Sequence, residues 1–246
     1  MRMTSKILQL MVVFALGIGP FAIADDGSGV KLISQETVNE AGGFPYKITK
    51  PGSYRLVSNL TVPVNLDGID ISANGVTLDL NGFTIAGPGT CFGSPENPCT
   101  GNGTGTGIYA LADDTSVRNG TVVGFFDGLG LSGLVEDVQA KWNMHFGIYV
   151  GIGIVQHCIA RKNGTGITIG FGEISNSLAG FNQLNGLFSS GGTVLANTAI
   201  ENGYFGLFAT QVVYGSNNFS GNGHGQVNPF FSSVSQNNNI CNGVAC

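Results

Sequence analysis

Along most of this 246-residue chain a glycine followed by Ile or Leu returns at regular intervals, at Gly68, Gly107, Gly128, Gly147, Gly166, Gly186 and Gly206. The first interval is 39 residues and the later ones are 21, 19, 19, 20 and 20. After each glycine the pattern alternates. The first position is Ile69, Ile108, Leu129, Ile148, Ile167, Leu187 or Leu207, the third is apolar or small, and the fourth is mostly Gly, Ser or Thr. Period-two alternation predicts strands with one buried face. A repeat of about twenty residues has room for short strands and tight turns but not for a helix in each unit. The predicted fold is all-β, a parallel β-solenoid of about eight coils in which each coil buries its apolar face by stacking on its neighbours. A leucine-rich repeat has a similar period, but its leucine pattern is absent here.

Further columns share this register. Val138, Cys158, Ser177, Asn197 and Asn217 align, as do Ala140, Ala160, Ala179, Ala199 and Phe219, and a third column holds Asn143, Asn163, Asn182, Asn202 and Asn222. Asparagine tolerates left-handed backbone, and its amide can bond the same group one coil away, so this column predicts a repeated turn. Four segments follow: 1–24, a signal peptide; 25–43, an N-terminal cap; 44–227, the solenoid, with residues 87–106 inserted as a loop; and 228–246, a C-terminal cap or tail.

The segment 1–24 has a basic start (Arg2, Lys6), an apolar stretch from Ile7 to Ile18 and small residues at Ala22 and Ala24, the pattern of a cleaved secretory signal. Cleavage there takes the net charge from −5 to −7, and no later segment resembles a membrane span. The expected location is the periplasm, the cell surface or the medium, where disulfides form. Cys91 with Cys99 and Cys241 with Cys246 are the expected pairs, leaving Cys158 among apolar neighbours as a buried thiol.

Composition narrows the class. Charged residues are 10% of the chain and glycines number 40. Ordinary domains carry about 25% charged residues and about 7% glycine. That excludes a coiled coil, and an acidic chain without a basic run has no footprint for nucleic acid.

Three stretches, Ile48 to Leu56, Val76 to Ile85 and Val117 to Thr121, together with the repeats, resemble the early coils of right-handed parallel β-helix proteins of the pectate-lyase-like superfamily. The resemblance covers about residues 44 to 227 and implies the fold. It leaves activity open, because lyases, hydrolases, epimerases and adhesins share this architecture. The Gly223-His224-Gly225 tripeptide matches a polygalacturonase element, but the paired aspartates that accompany it in such enzymes are missing. Asp113 and Asp114, with Glu136 and Asp137 a coil later, are offset in register from a calcium cluster, so no metal or other cofactor is assigned.

Neighbouring coils lie about 4.8 Å apart, so residues sharing a column are neighbours. Asp137 and His157 share one, a carboxylate beside an imidazole as acid–base chemistry requires, with Arg161 close in sequence. Lys141 shares a column with Arg161, and Trp142 with Lys162, which suggests an anionic sugar between the cations and an indole to stack on it. The second position after each glycine points outward and reads Asp70, Tyr109, Gly130, Tyr149, Thr168, Phe188 and Phe208, an aromatic row suited to a linear polysaccharide. The expected partner is a glycan. Three roles stand at this point: carbohydrate binding without catalysis, a polysaccharide lyase, hydrolase or epimerase acting on an acidic glycan, or a structural or adhesive solenoid with a protein partner.

Overall fold

In a computed structural model, residues 29–89 and 103–246 are described. The signal segment 1–24 and the Cys91–Cys99 pair lie outside them. The chain winds into a parallel β-solenoid whose strands stack on three faces. On the first face run Tyr46–Ile48, Ile69–Ile71, Thr106–Ala110, the starts of Asp127–Lys141, Phe146–Gln156 and Thr165–Ser175, then Leu187–Ser189, Phe205–Thr210 and Gly225–Phe230. The second face begins at Lys31–Ile33 and is followed through ten successive turns to Val234–Ser235. The third carries short strands such as Ile159–Arg161, Leu178–Gly180 and Thr198–Ile200.

The solenoid thus has about ten turns instead of eight. The glycine-aliphatic pair marks only first-face strands. It misses Lys31–Ile33, which pairs with Tyr54–Leu56, and the final turn at Val234–Ser235 and Ile240–Cys241, because neither carries the motif. Before the second turn a helix, Gln35–Glu40, starts at Ser34 with a capping box to Thr37 and inserts Val38 into the core. At the other end Val244–Ala245 folds back antiparallel on Ile240–Cys241, and a disulfide joins Cys241 to Cys246. This hairpin occupies part of the strand edge that a solenoid otherwise exposes.

Inside, Ile69, Ile108, Leu129, Ile148, Ile167, Leu187 and Leu207 form one fully buried stack, and Ala140, Ala160, Ala179 and Ala199 form another, closed by Phe219. The asparagine column does something different from what its backbone tolerance suggests. The left-handed residue is the one before it: Trp142 (φ 55°), Lys162 (58°), Phe181 (58°) and Glu201 (52°). The asparagines themselves are buried and linked side chain to side chain. Asn182 Oδ1 accepts from the backbone N–H of Asn163 (2.9 Å) and from its Nδ2 (3.2 Å), while Asn182 Nδ2 donates to Ala160 O (3.1 Å) and Asn202 Oδ1 (2.9 Å). The same pattern joins Asn143 to Asn163 and Asn202 to Asn222. A second ladder runs from Cys158 through Ser177, Asn197 and Asn217 to Asn239.

Close stacking of the coils explains the glycine repeat: a Cβ on any of its seven glycines would press on a backbone carbonyl of the next coil, and from Gly128 onward on the asparagine ladder as well. A Cβ on Gly147, Gly166, Gly186 or Gly206 would meet the amide nitrogen of the asparagine ending the same coil at 2.5–2.7 Å, too close for any side chain. Glycine there is required by space and not by an unusual φ.

Replacing Asn182 by Ala strands two buried donors of Asn163 and removes one of the donors to Ala160 O. Each orphaned buried group costs about 1–3 kcal/mol, so we expect a loss of about 3 kcal/mol in urea unfolding, with the deficit absent for an exposed control such as Asn74→Ala.

Candidate functional site

The first face presents a single register column on its outer side: Lys47, Asp70, Tyr109, Gly130, Tyr149, Thr168, Phe188, Phe208 and Asn228. Its inward neighbours on each strand are core aliphatics, which is why these residues face out. Tyr109 and Tyr149 are each 39% exposed, and Gly130 between them leaves a gap two coils wide, about 10 Å. Phe188 and Phe208 are half-buried and stack with ring centres 5.2 Å apart and planes 4° from parallel. Thr168, between Tyr149 and Phe188, is buried, and its Oγ1 finds no hydrogen-bond partner. Rings also border the column. Phe146 lies 5.4 Å from Tyr149 and 3.7 Å from His145, which reaches Phe126 at 5.3 Å. Near the other end Phe205 sits 6.2 Å from Phe208, and His224 of the Gly-His-Gly tripeptide stacks on Tyr204 at 4.3 Å, in the turn of a late coil.

One carboxylate–imidazole pair on this side was not anticipated from the sequence. His145 Nδ1 lies 3.1 Å from Asp127 Oδ1, which also accepts the backbone N–H of Phe146 at 3.0 Å. Asp67 and Asn185 hold the equivalent position in other coils and likewise accept a backbone N–H of the next coil, from Thr106 and Phe205. Asp127 is therefore first a bracket between coils, and His145 adds an imidazole to it. The available signal was the acidic residue directly before Gly68 and Gly128. The turn that swings His145 back to Asp127 has no such mark.

Asp137 and His157 occupy the bend between second and third faces, both left-handed (φ 53°) and exposed. They are coil neighbours, but the imidazole of His157 faces Glu136, with Nδ1 4.0 Å from Oε1, and Gln156 also donates to Glu136. Arg161 lies at the far end of the third-face strand, about 13 Å along the chain from His157. There Lys141 and Arg161 are in direct register, and with Trp142 and Lys162 they line a shallow concavity of about 220 Å3. The Arg161 guanidinium sits 4.9 Å above the ring of Phe181.

Burial raises three titratable groups among the described residues, Tyr46, Asp70 and Cys158. Burial, then the neighbouring Asp67 carboxyl, pushes the Asp70 carboxyl up, with Lys47 opposing, and Asp70 Oδ1 is buried without a partner. Burial pushes the Cys158 thiol up to about 12, so it is not a nucleophile. No group of three or more His, Cys, Asp or Glu among the described residues can hold a metal ion, and no helix among them is long and apolar enough to cross a membrane.

No protein-family model and no curated protein matches the chain. Two solved structures are similar. The Dettilon tailspike protein (gp208) aligns with a TM-score of 0.51 at 15% identity, over 78% of this chain and 42% of its own. The Azotobacter vinelandii mannuronan C-5 epimerase AlgE4 A-module aligns with a TM-score of 0.50 at 14% identity, over 79% of this chain and 67% of its own. Both are right-handed parallel β-helix proteins, and that is the fold of this chain. The chain spans less than half the length of the tailspike it matches.

Because the folded Asp70 binds its proton more tightly than the unfolded chain does, stability falls as pH rises from about 3.9 through the raised folded value. Asp70→Asn is expected to remove this fall, so that the difference in urea midpoint between variant and wild type grows in the variant's favour from pH 4 to 7. A parallel pair of curves would mean that Asp70 titrates normally. For Cys158, native protein is expected to resist iodoacetamide at pH 8 and to react once unfolded in guanidinium.

Proposed function

We propose that this protein is an exported glycan-binding β-helix that lays a polysaccharide along its first face. The observation that carries the reading is the outward column itself: exposed Tyr109 and Tyr149 and the stacked Phe188 and Phe208, in strict register along a straight sheet. Aromatic faces stack on the apolar faces of sugar rings, and a linear array of them matches a linear polymer better than a compact ligand. That the two similar structures are a tailspike protein and a mannuronan epimerase supports a glycan as the partner. The signal-like segment 1–24 and the Cys241–Cys246 disulfide support export.

Affinity electrophoresis through gels cast with neutral or uronate polysaccharides tests this. Wild type should be retarded by at least one of them, with Tyr149→Ala weakening the apparent affinity about three- to tenfold and Tyr149→Phe preserving it. Equal mobility of wild type in all gels would reject the reading.

A second reading, in which the protein acts on the glycan, is favoured by the Asp127–His145 pair beside Phe146 and Tyr149. An imidazole oriented by a carboxylate can take or give a proton near neutral pH. Release of reducing ends by wild type and not by His145→Ala would establish it.

A further inference from the structure

We infer that the concavity lined by Lys141, Trp142, Arg161 and Lys162 is a second, anion-selective subsite that takes a sugar bearing a carboxylate or sulfate group. This rests on the reading of the protein as glycan-binding, but the site lies at the end of the third face, apart from the aromatic column.

Three of the ten Lys and Arg residues of the chain converge here, on two adjacent coils. Lys141 and Arg161 stand directly opposite one another, an arrangement that repels unless something negative lies between them. The strands on either side supply no such charge, since Lys141 is flanked in register by Val123 and Arg161 by Gly180. Neither Lys141 nor Arg161 has a carboxylate within ion-pair distance among the described residues.

Trp142 and Lys162 put an exposed indole and an ammonium on the rim of the concavity. Arg161 is held over Phe181, which leaves its planar guanidinium less freedom to lose when it forms paired hydrogen bonds to an oxyanion. An oxyanion between Lys141 and Arg161, with the attached ring over Trp142, uses every group the concavity offers.

Trp142 is the one tryptophan of the chain, so intrinsic tryptophan fluorescence reports on this place alone. The probes are oligogalacturonate, a sulfated oligosaccharide, a neutral cello-oligosaccharide, and inorganic sulfate and phosphate. We expect a saturable fluorescence change with one or both acidic sugars, weakened by added NaCl, and none with the neutral sugar. Lys141→Gln/Arg161→Gln should weaken it at least tenfold with an unchanged thermal midpoint. Lys141→Gln alone serves if the double variant proves unstable. Tyr149→Ala should leave the signal intact.

No change with either acidic sugar, or an equal change with the neutral one, overturns the inference. An equally tight response to inorganic sulfate or phosphate overturns its sugar component. Loss of polysaccharide retention in gels with the fluorescence response preserved would fault the first-face reading and leave this subsite standing.

Discussion

The fold depends on amide groups that hydrogen-bond inside the solenoid. Coils of about twenty residues touch through short parallel ladders and a narrow core, in which a one-residue slip would turn the buried aliphatics outward. The buried asparagine ladders fix the same register a second time, with polar groups. Each amide accepts from the coil before and donates both to a carbonyl of that coil and to the amide of the next, so a slipped coil would strand several buried polar groups at once. The glycines at Gly128, Gly147, Gly166, Gly186 and Gly206 leave space both for the amide and for the backbone carbonyl of the next coil, and Gly68 and Gly107 for that carbonyl alone.

Fixed register is what turns single residues into surfaces. Tyr109, Tyr149, Phe188 and Phe208 belong to four separate coils, and they form one row because the ladders below keep those coils in phase. Lys141 opposes Arg161 for the same reason. The two surfaces differ in chemistry. The first face is aromatic and the end of the third face is cationic, in a chain of net charge −5.

The left-handed bends divide structural from available positions. At the bends that carry the ladders, the residue with positive φ lies outside the core and the next residue goes inward to the ladder. Asp137, His157, Trp142 and Lys162 are all of the first kind. This is why chemistry gathers on the turns of this protein and why asparagine, serine and cysteine lie one step inward, where Cys158 is unreactive.

The solenoid, its period, the outward aromatic row, the Lys141–Arg161 register and the Cys241–Cys246 pairing were all legible in the sequence, because strand alternation and a constant repeat translate spacing directly into neighbourhood. The number of turns was undercounted, since the first and last coils pair by backbone and end-capping without the glycine-aliphatic mark. A shared column also failed to predict side-chain pairing at bends: His157 turns to Glu136, and His145 reaches Asp127 from the end of a turn. Sequence alone thus determined which residues share a column, a property of the repeat length. Tertiary structure decided which way side chains leave the backbone where it bends, because there the local φ, and no longer the period, sets their direction.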